Sequence, residues 1–201
     1  MDDLKSGSSC RLFVALPVPG TVKRAMTEMQ EEFQHALGRD CVRWTPPGQF
    51  HLTLRFLGDV RSEQVEDLES SLHKVCQGRA TFVLRARGFG FFPEQGFPRV
   101  LWVGVESEQD QLGDLHREVE AATDAFTNER KEKSFSGHLT LGRSKSLRPR
   151  DIGLLRRIED GRQDRVLGEW TASAVELIRS ELAKGGATHS LLCKFDFGKT
   201  K

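Results

Sequence analysis

Short apolar runs closed by Pro or Gly alternate along the chain with longer stretches in which apolar residues recur every three or four positions. Arg11 to Leu16 (RLFVAL), stopped by Pro17 and Pro19, reads as a buried strand. From Val22 onward, Ala25, Met26, Met29, Phe33 and Leu37 fall at helical spacing, and the helix they predict ends near Gly38. Strands are expected over Val42 to Thr45 and Phe50 to Leu57, on either side of a Pro46-Pro47-Gly48 turn. Ser62 is placed to cap a second helix whose buried stripe is Val65, Leu68, Leu72 and Val75. Phe82 to Phe92 and Val100 to Val105 predict strands around a loop with Gly96 and Pro98, and a third helix carries Leu112, Leu115, Val119, Ala122 and Phe126. A strand over Phe135 to Arg143 and a short helix opened by Pro149 follow. Strands over Trp170 to Ile178 and Ser190 to Phe197, with Gly185-Gly186 in the turn between them, end the pattern. Paired strands with hairpin-length gaps and interspersed helices predict an α+β fold with antiparallel pairing.

Charge refines this picture. The 201 residues carry a formal net charge of +1, which excludes a protein that coats duplex DNA through a large excess of Lys and Arg. That total is a cancellation: residues 106–124 sum to −6 and residues 130–165 to +6. The basic stretch is suited to drawing in one phosphorylated end, and the acidic one discourages wrapping of long nucleic acid. Cys10, Cys41, Cys76 and Cys193 are scattered without a C-x-x-C pair, so neither a zinc framework nor a disulfide scaffold is indicated. Met1 to Ser9 lacks the basic-then-apolar layout of a secretory signal, and runs such as Val100 to Val105 are too short to cross a bilayer. A cytoplasmic protein without a membrane or obligate protein partner, and monomeric, is the expectation.

One feature rises above composition. His51-Leu52-Thr53-Leu54 and His138-Leu139-Thr140-Leu141 are identical strings 87 residues apart, each inside a predicted strand. Alternation along a strand puts His and Thr of each copy on one face and the two Leu on the other. Cleaving a phosphodiester requires a base for the attacking oxygen, an acid for the leaving oxygen, and donors for the non-bridging oxygens. Two imidazoles titrating near neutrality and two hydroxyls, one pair on each wall of a groove, match that requirement. His-x-Thr supplies only one ligand per copy for a zinc site, so no metal and no cofactor is expected.

At these residues the sequence resembles the two-histidine (2H) phosphoesterase superfamily and, within it, the LigT-like RNA 2′,3′-cyclic phosphodiesterases. The resemblance rests on RLFVALP at Arg11, Val42-Arg43-Trp44, FHLTLRFLGDV at Phe50, RVLWVGV at Arg99 and FSGHLTLGRSK at Phe135. It implies a bilobal α+β fold, two antiparallel sheets facing across a groove with helices outside, in a single domain over 10–201 after a flexible extension at 1–9. It also implies hydrolysis of an RNA-terminal 2′,3′-cyclic phosphate to a 2′-phosphomonoester, with His51 as proton donor, His138 as proton acceptor, and Thr53 and Thr140 binding the phosphate. Run backward with an RNA 5′-hydroxyl, the same groups would form a 2′-5′ linkage. The motif specifies phosphate chemistry rather than the whole ligand. Small 2′-5′-linked or cyclic nucleotides stand as alternative substrates, and a nucleotide-binding module without turnover as the non-enzymatic reading.

Strict alternation keeps Arg55 on the groove face, four residues after His51, as a candidate substrate contact or a rim charge. The same rule turns Arg143, five after His138, to the opposite face, where a phosphate contact and a surface charge are equally open. Phe56, Phe91, Phe92 and Trp44 are candidates to stack a base or to fill the core. His35, His73 and His116 sit in predicted helices without partners and read as incidental. His189 stands in Gly186-Ala187-Thr188-His189-Ser190-Leu191, where LigT-like proteins often carry Tyr; it receives no catalytic role, and the chain is wholly without Tyr.

Overall fold

The computed structural model describes residues 8–37, 41–131, 134–183 and 186–198. In chain order these build β1 (Ser9–Pro17), α1 (Gly20–Leu37), β2 (Val42–Trp44), β3 (His51–Arg61), α2 (Val65–Cys76), β4 (Phe82–Phe92) and β5 (Val100–Ser107). There follow α3 (Gln111–Thr123), β6 (His138–Ser144), α4 (Pro149–Arg162), β7 (Val166–Ala172), β8 (Ala174–Ala183) and β9 (Gly186–Asp196). Strands neighbour one another in the order β7-β4-β5-β6-β3-β1-β8-β9, with β2 added beside β6, and every pairing is antiparallel.

Two sheets are evident in this path, because β3 and β6 meet only at Leu52 and Leu139. One sheet holds β3, β1, β8 and β9; the other holds β6, β5, β4, β7 and β2. The α+β, two-sheet expectation holds. Helices α2 and α3 pack on the first sheet, α1 and α4 on the second. Each presents an apolar stripe, such as Val22, Met26, Met29, Phe33 and Leu37 of α1, so burial of these side chains, at roughly 1.5–3 kcal/mol each, drives the assembly. In α2 the last core position is Cys76, with Val75 half-buried beside it. Pro149 opens α4 at its first turn, and the Asp151 carboxylate accepts from the Arg148 backbone N–H (2.9 Å).

Some sequence expectations need correction. Ser62 does not cap α2: a single 3₁₀ turn, Ser62–Gln64, precedes that helix, and the Ser62 hydroxyl donates instead to the Ser8 carbonyl (2.7 Å). Trp170 to Ile178 is not one strand. The chain passes at Ser173 from β7, paired with β4, to β8, paired with β1 and β9, and thereby from one sheet to the other. The Ser173 carbonyl is held there by the Phe197 N–H (2.8 Å). The predicted strand from Phe135 begins only at His138. His116 is buried rather than incidental, stacked on Phe135 with ring centroids 4.0 Å apart. Gly185 of the predicted final turn lies outside the described residues, and so do residues 1–7 of the expected extension; Ser9 already pairs with Arg61 in β1.

Candidate active site

The seam between the sheets is made by the repeated strings themselves. Leu52 and Leu139, both fully buried, form the one residue pair that joins β3 to β6. Antiparallel sense then sets His51 toward Thr140 and Thr53 toward His138, and all four line one groove of about 470 Å³. Each histidine opens its strand, and each is gripped in the same way. His51 Nδ1 lies 2.7 Å from the Gln49 carbonyl and His138 Nδ1 lies 2.8 Å from the Ser136 carbonyl, in both cases two residues upstream. A carbonyl only accepts, so both Nδ1 atoms carry a proton and both Nε2 atoms are left for chemistry in the groove. Space before His138 is tight: a Cβ on Gly137 would lie 2.7 Å from the Val105 carbonyl oxygen and from Leu112 Cδ2, so glycine is required for β6 to approach β5.

Both strands bulge just after His-Leu-Thr. On β3 the register shifts between Ala15 opposite Thr53 and Val14 opposite Arg55; on β6 it shifts between Trp102 opposite Thr140 and Leu101 opposite Gly142. An extra residue reverses the facing of everything beyond it. The alternation argument therefore fails for both arginines. Arg55 is turned off the groove face: it borders the groove, but its guanidinium donates to the Glu120 carbonyl and to Asp124 (2.8 Å) and is buried. Arg143 is turned onto the groove face, and the residue at the matching position on β3 is Phe56, half exposed. The bulged Leu141 carbonyl is satisfied by the Thr45 N–H (2.9 Å) and by buried Gln30 (Nε2, 2.8 Å). Gly142, where a Cβ would meet Val42 Cγ1 at 2.7 Å, lets β2 lie close against the bulge.

The two walls differ electrostatically. His51 packs against Phe13 (centroids 4.7 Å) and edge-on against His189 (5.2 Å). Burial first, and then the neighbouring His189, push its pKa down to about 4; the Gln49 hydrogen bond opposes this, and Lys23 and His138 add to it. His189, itself lowered by burial, packs on Phe13 as well (4.9 Å), so it belongs to the groove although its sequence position pointed to no role. His138 has Phe92 (5.2 Å) and Trp102 (6.3 Å) as ring neighbours. Phe91 is buried in the core, whereas Trp44 stacks on Phe33 and, half-buried, also lines the groove.

This site has relatives. A model of the LigT-like phosphoesterases matches residues 16–102. An RNA 2′,3′-cyclic phosphodiesterase of Thermus thermophilus is 32% identical over 191 residues, covering 92% of this chain and 89% of that protein. The chain belongs to the LigT-like phosphoesterase family. A second LigT-like relative, an RNA 2′,3′-cyclic phosphodiesterase of Methanothermobacter thermautotrophicus, is 30% identical over 90% of this chain and 95% of its own. The crystal structure of TT0787 of Thermus thermophilus superposes with a TM-score of 0.78 at 31% identity, covering 94% of this chain and 99% of that one. The LigT-like fold extends to LigT of E. coli, at 19% identity and a TM-score of 0.74 over 96% of this chain and all of that one.

Sequence reasoning missed Arg43, Arg11 and Phe13 of this LigT-like groove. Period two along β1 was the available signal, since Arg11, Phe13 and Ala15 share a face, but a run apolar on both faces hid it. Arg43 became legible only through its cross-strand partner Arg143.

Proposed function

We propose that this protein hydrolyses RNA-terminal 2′,3′-cyclic phosphate to a 2′-phosphomonoester, using its own side chains as acid, base and phosphate donors. The observation that carries this is the matched pair of carbonyl-clamped imidazoles, each with a threonine on its wall, meeting across one seam. In the proposed step a water oxygen attacks phosphorus as His138 Nε2 takes its proton. The P–O3′ bond breaks as His51 Nε2–H protonates the departing oxygen, and Thr53 and Thr140 hydroxyls donate to the non-bridging oxygens. Arg143, three residues beyond Thr140 on β6, faces the same groove and adds positive charge along the anion's approach. Protons have traded histidines after one turnover and return through solvent. With an RNA 5′-hydroxyl in place of the attacking water, the same displacement, in which His138 takes the hydroxyl proton and the P–O3′ bond breaks onto the His51 proton, leaves a 2′-5′ linkage and so gives weak ligation.

Burial keeps His51 neutral in the free protein at pH 7, so the proposed order requires proton uptake as the anionic phosphodiester enters beside it. Calorimetric binding of a cyclic-phosphate RNA end to His138→Asn protein, in buffers of different ionisation heat, reads this directly. About one proton taken up supports His51 as acid, and none reverses the two roles. The activity itself is tested by incubating the protein and EDTA with RNA ending in a 2′,3′-cyclic phosphate and resolving 2′- from 3′-phosphate ends. A 3′-phosphate product, turnover only with added divalent metal, or binding without turnover would each overturn the reading.

A further inference from the structure

Arg43 of β2 and Arg143 of β6 are direct cross-strand partners in antiparallel register, and both line the groove. Like charges placed opposite one another destabilise a strand pair unless something of opposite sign lies between them. Among the described residues neither has an ion pair, and no Asp or Glu lines the groove. Arg55 shows the contrast, since its charge is spent on Asp124. The Arg43–Arg143 pair is also displaced from the chemistry. It begins beyond the Leu141 bulge, three residues along β6 from Thr140, which is roughly 10 Å of strand. A phosphate held by Thr53 and Thr140 therefore leaves the far side of this pair free for a second anion.

The geometry points to a second phosphate subsite, formed by the guanidiniums of Arg43 and Arg143, for the phosphodiester immediately 5′ of the terminal nucleoside. This rests on the reading above and names its substrate class. In an RNA end closed by a cyclic phosphate, every other phosphate lies on the 5′ side, so a second anion can come only from the upstream chain. A cyclic mononucleotide has none. Planar guanidiniums suit a phosphodiester because they donate two parallel hydrogen bonds to its oxygens. The protein is thus built to act on oligonucleotide ends in preference to cyclic mononucleotides.

A chemical double-mutant cycle tests this. Its substrates are a dinucleotide with a 2′,3′-cyclic phosphate end and the same molecule with its internal linkage made a neutral methylphosphonate; its proteins are wild type and Arg43→Ala, with Arg43→Lys as the charge-keeping control. For wild type, removing the internal charge is expected to lower kcat/KM roughly 10- to 100-fold, mostly through KM, as fits loss of a charge-assisted contact. In Arg43→Ala the ratio between the two substrates collapses toward one, and Arg43→Lys restores part of it. If wild type cleaves both substrates equally, or if Arg43→Ala lowers both by the same factor, the subsite is refuted while the phosphodiesterase reading stands. If wild type cleaves neither, that reading fails with it.

Discussion

The wall built on β3 and the wall built on β6 carry the same four residues, clamp their histidines by carbonyls at the same offset, bulge at the same place, and then diverge. Five residues past the histidine, β3 presents Phe56 and β6 presents Arg143; four residues past, β3 has a buried, ion-paired Arg55 and β6 has Gly142. Around His51 lie Phe13 and a second imidazole, and around His138 lie Phe92 and Trp102. The tetrapeptide thus sets geometry, which is local. The neighbouring strands set charge and polarity, which are not, and they turn a near-symmetric pair into two unlike chemical groups.

The largest break in this comparison is removal of either imidazole. His51→Ala and His138→Ala are each expected to lower single-turnover hydrolysis of the cyclic-phosphate end by roughly 10²–10⁴ with the fold retained. Full activity in both variants would end the paired-histidine mechanism. The double variant should be little worse than the weaker single one, because acid and base act in one transition state.

The next effect separates the walls by pH. His51 has a folded-state pKa depressed from 6.5 to about 4, so the unfolded chain binds the extra proton between those values. The resulting stability is fully present above about pH 6.5 and is lost as pH falls toward 4. Its upper bound is about 3 kcal/mol. Urea unfolding at several pH values in that window checks it: His51→Asn should flatten the dependence relative to wild type. An unchanged slope would mean that burial does not hold this imidazole neutral.

The two arginines show how much of the site could be read from the chain and where reading stopped. Both His-Leu-Thr-Leu strings, their shared facing and the buried leucines follow from strand alternation alone. Alternation then misplaced Arg55 and Arg143, because a bulge is a property of two strands in register, and β1, β5 and β2 are distant in sequence. Contacts of the same long range hid the burial of His116 against Phe135 and the crossing at Ser173, which no Gly or Pro marks. Reversing the placements predicts opposite phenotypes. Arg55→Ala should cost about 1–3 kcal/mol of stability, by loss of its bonds to Glu120 and Asp124, and little activity. Arg143→Ala should keep its stability and lose activity roughly 10-fold or more. Unfolding curves and kcat/KM for both proteins decide between this and strict alternation.

The smallest effect concerns the residue that most distinguishes the β3 wall. His189 packs edge-on against His51 and is second to burial in lowering its pKa. Replacing it by Gln removes a group that becomes cationic in acid and repels a proton on His51, so the His51 titration should move upward from about 4. Burial is the larger cause and remains, so the movement should stop short of the free-imidazole value of 6.5. The Cε1–H chemical shift of His51 followed against pH in both proteins measures it. A downward movement would show that His189 instead helps to solvate the imidazolium, as a hydrogen-bonding neighbour would. An upward one leaves the imbalance between the walls as the sum of an apolar pocket and one additional ring.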